Sequence, residues 1–250
     1  MKNKTKNLRP FIYLVAQLLI CFTVVAQSKN VNFNGIEKKI DDAFIKSFIA
    51  NNTNDLDKIN QEIGTTNNAL SQYWSAYSLY LKSLYYQSKG ATDQAEESLT
   101  AGINKIKGSK QSSESYALLG TMQNFSIQFA SMTKAATIAE EATSNFQKAL
   151  KLDPKNLRAY LGLGLQDYYT PIEFGGQNKV VEYLNKAISL PNQSTANPTM
   201  PSWGKNEAYH TLVSYYIKQK NSNKAKQIYK EATTKFPNDY RLLSLSKDLL

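Results

Sequence analysis

The stretch Asn206–Asn238 reads NEAYHTLVSYYIKQKNSNKAKQIYKEATTKFPN. Its first half places Tyr209, Leu212, Val213 and Tyr216 at spacings of three and four, which sets them on one stripe of a helix. Its second half places Ala225, Tyr229 and Ala232 in the same way. The small residues let a neighbouring helix approach, and the large one fills the gap. Pro237 follows five residues after Ala232, where a helix must stop. The stretch therefore predicts a pair of amphipathic helices folded against each other.

Working outward, the small-x3-large-x2-small pattern recurs as Ala95-Leu99-Gly102, Ala142-Phe146-Ala149 and Val180-Leu184-Ala187. Each has a partner helix upstream: Leu79-x3-Ser83-x2-Tyr86 with Gly90 at the turn, Tyr116-x2-Leu119-Gly120, and Tyr160-x2-Leu163-Gly164. Pro154 and Pro191 supply the stops. Four copies in phase cover roughly residues 71–238. The pattern resembles the tetratricopeptide repeat, W-x2-L-G-x2-Y, then A-x3-F-x2-A, then P, with a period of about 34 residues. The resemblance implies an all-α solenoid of antiparallel helix pairs, with repeats near 71–107, 112–155, 156–191 and 206–238. Ile36–Ala50 and Leu56–Ile63 read as a degenerate hairpin turning at Asn51–Asn54, and residues 239–250 as a closing cap, because a terminal repeat has no neighbour to cover its apolar face. One solenoid over residues 35–250 is expected, with 27–34 as a disordered segment before it.

Spacing between the repeats departs from the period. Gly102, Ala149, Ala187 and Ala232 are 47, 38 and 45 residues apart. Insertions in solenoids tend to gather on one face, often the binding face. The first excess, Thr121–Ala142, predicts two lengthened helices turning near Ser131–Lys134. The second is the loop Thr170–Gly176, where Phe174 is expected to dock into a hydrophobic gap beside a Gly pair. The third is Pro191–Gly204, whose Trp203-Gly204 end argues for order. Asn156–Leu161, Pro171 with Phe174-Gly175-Gly176, and Trp203-Gly204 also resemble the NxRAYYL-, FGG- and WG-like motifs of small exported repeat proteins of Bacteroidetes. That resemblance implies fold and compartment more than activity.

The chain has 250 residues, a net charge of +10, one Cys and one His. Lys2, Lys4, Lys6 and Arg9 precede the apolar run Phe11–Val25, with small Ala26 behind it, which reads as a signal peptide over residues 1–26. The run is shorter than the roughly 20 residues of a membrane span, so membrane contact is expected only if this segment stays uncleaved. Ile20 before Cys21 departs from a lipidation signal. Cleavage after Ala26 removes Cys21 and four cations, lowering the charge to +6. Much of the basicity is then a targeting feature, and nucleic acid is not an expected partner. Export to the periplasm or envelope of a Gram-negative bacterium follows as an expectation.

Catalytic chemistry finds few carriers. One His and one Cys leave no dyad, triad or metal cluster, and Gly175-Gly176 lacks the Lys of a phosphate loop. No cofactor, metal or catalytic residue is expected. The resemblance implies a concave binding face lined by the first helix of each pair, and its candidates are Tyr77, Tyr80, Arg158, Tyr168, Tyr169, Glu207, His210 and Ser214, with Phe174 and Trp203 from the loops. Tyr offers flat apolar area and a hydroxyl, or else inter-repeat packing. Arg158 offers a bidentate grip on a carboxylate, or else an inter-repeat ion pair. Three functions stay open: a non-catalytic scaffold for a protein or peptide partner, a small-molecule binder closed by the 170–176 and 191–204 loops, and a structural adaptor.

Overall fold

Small residues at the repeat positions decide how closely the helices approach. The computed structural model describes residues 31–249 apart from Gln193 and Thr195, and among these it contains helices and no strand. The helices are α1 Ile36–Ala50, α2 Asn54–Gly64, α3 Ala69–Ser88, α4 Thr92–Lys107, α5 Ser113–Ser126, α6 Met132–Leu152, α7 Leu157–Tyr169, α8 Val180–Ser189, α9 Lys205–Lys218, α10 Ser222–Lys235 and α11 Tyr240–Ser244. Each packs on the next, and the pairs α3/α4, α5/α6, α7/α8 and α9/α10 are the four repeats. The expected signal peptide and residues 27–30 lie outside the described residues. The ordered core begins at Phe33, inside the stretch expected to be disordered, because Phe33 is buried with Ile36 and Ile40.

Local chemistry fixes the helix starts. The side chains of Asn68, Ser112, Asn156, Asn221 and Asp239 accept backbone N–H groups in the first turns of α3, α5, α7, α10 and α11. Each cap supplies one of the acceptors a helix N-terminus lacks, worth about 1 kcal/mol. The turns inside repeats one and four share one geometry. Gly90 has φ 71°, and Lys220, at the matching place, has φ 56°. The preceding helices close on them with the same pattern of hydrogen bonds, Ala91 N–H to Tyr86 and Asn221 N–H to Tyr216.

The core is a row of clusters. The first joins α1–α5, the next centres on Phe146 between α5, α6 and α7, then one spans α7–α9, and the last two seat the cap on α9 and α10. Phe146 shows why glycines recur. Its ring is fully buried against Gly120 and Gly162, and a Cβ on Gly120 would lie 2.7 Å from it. The cap is α11 with a short 3-10 turn, Leu245–Leu249, and buries Leu242, Leu245 and Leu249.

The first insertion corrects an expectation. Helix α5 has ordinary length, the chain makes a 3-10 turn at Ile127–Phe129, and only α6 is extended, to 21 residues. Phe125 and Phe129 meet edge to face at 5.8 Å at this turn and pack on the first core. Among the described residues no helix is long and apolar enough to cross a membrane, and no group of His, Cys, Asp and Glu could hold a metal.

Candidate functional site

Tyr73, Tyr77 and Tyr80 stand at i, i+4 and i+7 on α3, so they share one stripe of the helix, and all three pack in or against the first core. Their fates differ. The end of the Pro191–Gly204 loop, Thr199–Gly204, lies against α1 and α3 as a strap. Ser202 donates its N–H and hydroxyl to the Glu37 carboxylate of α1, 165 residues away, at 2.6 and 2.8 Å. The indole of Trp74 donates to the Thr199 carbonyl at 3.1 Å. The Trp203 indole donates to the Tyr73 hydroxyl at 3.1 Å, and its ring stacks on Tyr77 at 5.5 Å. Tyr77 in turn donates to Asp41 at 3.1 Å. Trp203 packs against both the first core and the α7–α9 core, so the end of the strap is built into the fold.

Arg158 belongs to the same assembly. It is fully buried, and its Nε and Nη2 donate to the two oxygens of Glu114 at 2.5 and 3.0 Å. Its Nη1 donates to the Trp203 carbonyl, and its guanidinium lies 5.4 Å from the Trp203 ring centre. Burial works against the charged guanidinium, but the Glu114 charge and hydrogen bonds outweigh it and leave the pKa raised. The structure therefore assigns Arg158 to the inter-repeat ion pair. Tyr77 and Arg158 are buried and spent on internal contacts, which corrects their placing on a binding face, whereas Trp203 is half-buried and braces the strap. Asp41 is pushed up to about 7 by burial and then by the neighbouring Glu37 charge.

Tyr80, the third tyrosine of the stripe, is free of the strap. Its ring meets Phe125 edge to face at 5.7 Å, and its hydroxyl has no hydrogen-bond partner among the described residues. It lies within electrostatic reach of Glu207 and Arg241, and of Tyr169. Tyr80 from α3 thus meets Phe125 from α5, and the charge of Arg241 from α11 is felt by Tyr80, by Tyr169 from α7 and by Glu207 and His210 from α9. Glu207 is enclosed by protein yet open to water at its tip, and burial raises its pKa while Arg241 works the other way. Burial, then Arg241, lowers the pKa of His210. Burial raises both Tyr80 and Tyr169, so the phenols stay neutral. Glu207, His210, Tyr169 and Arg241 make no side-chain hydrogen bond or ion pair among the described residues. The arrangement can grip a ligand through hydroxyls, a guanidinium and ring edges.

The remaining candidates lie apart from this group or at its edge. Tyr168 packs on Tyr169 and Tyr215 with Lys218 over its ring at 5.7 Å. Ser214 is half-buried on α9. Phe174 is 76% exposed and does not dock, because the loop closes on itself: Gly176 N–H bonds to the Pro171 carbonyl and Gln177 N–H to Asp167. Arg241, Phe125 and Phe129 escaped the reading of the sequence. In the sequence Arg241 falls inside the closing cap 239–250 and carries no signal of its own. Two surface depressions of about 430 and 460 Å³ sit elsewhere, one beside Tyr160 and Tyr183, the other beside Tyr116 and Lys148.

Comparison with known proteins bears on the family. The model described as tetratricopeptide repeat matches residues 207–239. A search of curated proteins gave no match. Among solved structures, a thermophilic TPR protein of Thermus thermophilus aligns over 84% of this chain and 98% of its own, at 15% identity and a TM-score of 0.55. The HusA haemophore from Porphyromonas gingivalis aligns over 86% and 95%, at 19% identity and a TM-score of 0.48. YrrB, a TPR protein with an unusual peptide-binding site, aligns over 86% and 100%, at 13% identity and a TM-score of 0.37. The likeness to the Thermus protein is one of fold. The family model thus covers the last repeat, residues 207–239, and the four helix pairs share the fold of the Thermus protein.

Proposed function

We propose that this protein is an exported, non-catalytic scaffold that holds a protein or peptide partner in its concave face, within the cell envelope. The observation that carries the reading is the α3 tyrosine stripe. Tyr73 and Tyr77 are consumed by the strap and by Asp41, whereas Tyr80 faces an open group of side chains that bond to nothing in the chain itself. These polar groups are open to water and bond to nothing in the chain itself among the described residues, so their donors and acceptors are available to a partner. Rings from three repeats add the apolar area on which protein contacts are centred. The basic, apolar start of the sequence supports export.

Photocrosslinking tests the site. A benzophenone amino acid at position 80, irradiated in cells, is expected to give an adduct with another polypeptide, while the same group at position 73 gives none. Position 73 lies under the strap and serves as the internal control. Equal yields at both positions, or none at either, would overturn the reading. Mass spectrometry of the mature protein is expected to place its N-terminus at Gln27, and an intact residue 1–26 segment would count against export.

A further inference from the structure

We propose that the strap is a pH-operated clasp: Thr199–Trp203 is fastened to α1 and α3 while Asp41 is protonated, and lifts off them once Asp41 and Glu37 are both charged. The proposal stands on the contacts of the strap and goes beyond the partner reading, on which it does not depend. Two arrangements carry it.

The first is the fastening. The Thr199 carbonyl accepts from the Trp74 indole at 3.1 Å. The N–H and hydroxyl of Ser202 donate to the two oxygens of Glu37 at 2.6 and 2.8 Å. The Trp203 indole donates to the Tyr73 hydroxyl at 3.1 Å, and its ring lies nearly parallel to that of Tyr77, 5.5 Å away with 19° between the planes. The grip on α1 thus runs through a carboxylate, and the grip on α3 runs through three aromatic side chains. Lifting the strap uncovers Tyr73 and Tyr77, which continue on α3 the stripe that ends in Tyr80.

The second is what lies beneath it. Glu37 and Asp41 stand one turn apart on α1, both half-buried, so two carboxyls share one side of the helix. Tyr77 links them to the strap, since its hydroxyl donates to Asp41 at 3.1 Å while its ring carries Trp203. The charge of Glu37 is served by Ser202 and Trp203 and by the field of Arg158 from α7. Arg158 is itself committed to Glu114 of α5. Asp41 is served less well. The Tyr77 hydroxyl and Lys38 favour its charge, and Lys38 is shared with Asp42. Burial, Glu37 and Asp42 all work against that charge, so Asp41 ionises only near a pH of about 7. Under the strap, the second ionisation puts like charges one turn apart with little water between them. With the strap lifted, water reaches both carboxylates. The closed form therefore holds the Asp41 proton more tightly than the lifted form, and by linkage a rise in pH favours lifting.

The chain has two tryptophans, Trp74 and Trp203, and both sit in the clasp, so intrinsic fluorescence reads it directly. Acrylamide quenching of the purified protein is followed from about pH 5 to about pH 8, with circular dichroism at each pH to register the helices. Quenching is expected to rise roughly twofold while the helix signal holds, and hydrogen exchange, corrected for its intrinsic pH dependence, should speed up at Ser202 and Trp203. Asp41→Asn carries no charge and keeps an acceptor for Tyr77, and it is expected to stay closed throughout. Asp42→Asn, an exposed neighbour on the same helix, should retain the rise. If the Asp41→Asn protein does not fold, Asp41→Ser supplies the uncharged comparison. The same rise in a folded, uncharged variant, or no rise in the native sequence, would overturn the proposal. A rise accompanied by loss of helix would overturn it too, because the whole fold and not the strap would then be titrating. None of these outcomes touches crosslinking at position 80, which decides the partner reading separately.

Discussion

Arg158 brings a full charge to a place with no exposure to water, where its stability hangs on Glu114. The pair is laced further: Asn156 donates to the same carboxylate at 2.9 Å, and Trp203 supplies a carbonyl and a ring face. Removing one member of a buried pair strands the other, at a cost of about 3–5 kcal/mol. Arg158→Met is therefore expected to lose that much in urea denaturation. Arg158→Met combined with Glu114→Gln, which removes the stranded charge and keeps an acceptor for Asn156, should lose clearly less than the single variant. A double variant as unstable as the sum of its parts would show that charge is not what matters. In the sequence Arg158 read equally well as a ligand grip or as this pair, because Glu114 lies 44 residues upstream and spacing along one helix carries no trace of it.

At the scale of elements, the helices were legible because their signals are local: spacings of three and four, polar caps and stops at Pro. The strap was not. Its length, three prolines and Trp203-Gly204 announce a loop with an ordered end, but its landing place on α1 and α3 is a contact between distant parts of the chain. The same strap carries a titration. Asp41 sits beneath it with Glu37, Asp42 and Lys38 on its own helix and Tyr77 across from it. A carboxyl whose folded pKa is raised keeps its proton to higher pH than in the unfolded chain. Its stabilising contribution is complete below the ordinary value of 3.8 and is lost as pH rises through about 7. Melting temperatures taken across that interval should fall for the native sequence, and Asp41→Asn should flatten the slope while still accepting the Tyr77 hydroxyl. An unaltered slope in the variant would assign the effect to another group.

On the scale of the whole molecule, a solenoid is held by neighbours, and its stability is close to a sum over adjacent units. Here one long tie is added, since Trp203 joins the first core to the α7–α9 core. The cap illustrates the neighbour rule. Leu242 closes over Tyr209 and Ala232, and Leu245 and Leu249 close over Val213 and Ala225. At about 1.5–3 kcal/mol for each buried leucine, the cap accounts for several kcal/mol, a large part of a typical net stability of about 5–15 kcal/mol. The cap's apolar role was legible from its leucines, but Arg241 was not legible as a site residue, because only the superhelix brings it to Tyr80. Deletion of residues 239–250 should therefore act in two ways. Hydrogen exchange is expected to speed up strongly in α9 and α10. It should change little in α1–α4, whose core the strap still clamps through Trp203, Tyr73 and Glu37. The shortened chain should also lose whatever binding depends on Arg241. Uniform loss of protection from α1 to α10 would mean that the molecule unfolds as one cooperative block and that the cap's effect is not confined to its neighbours.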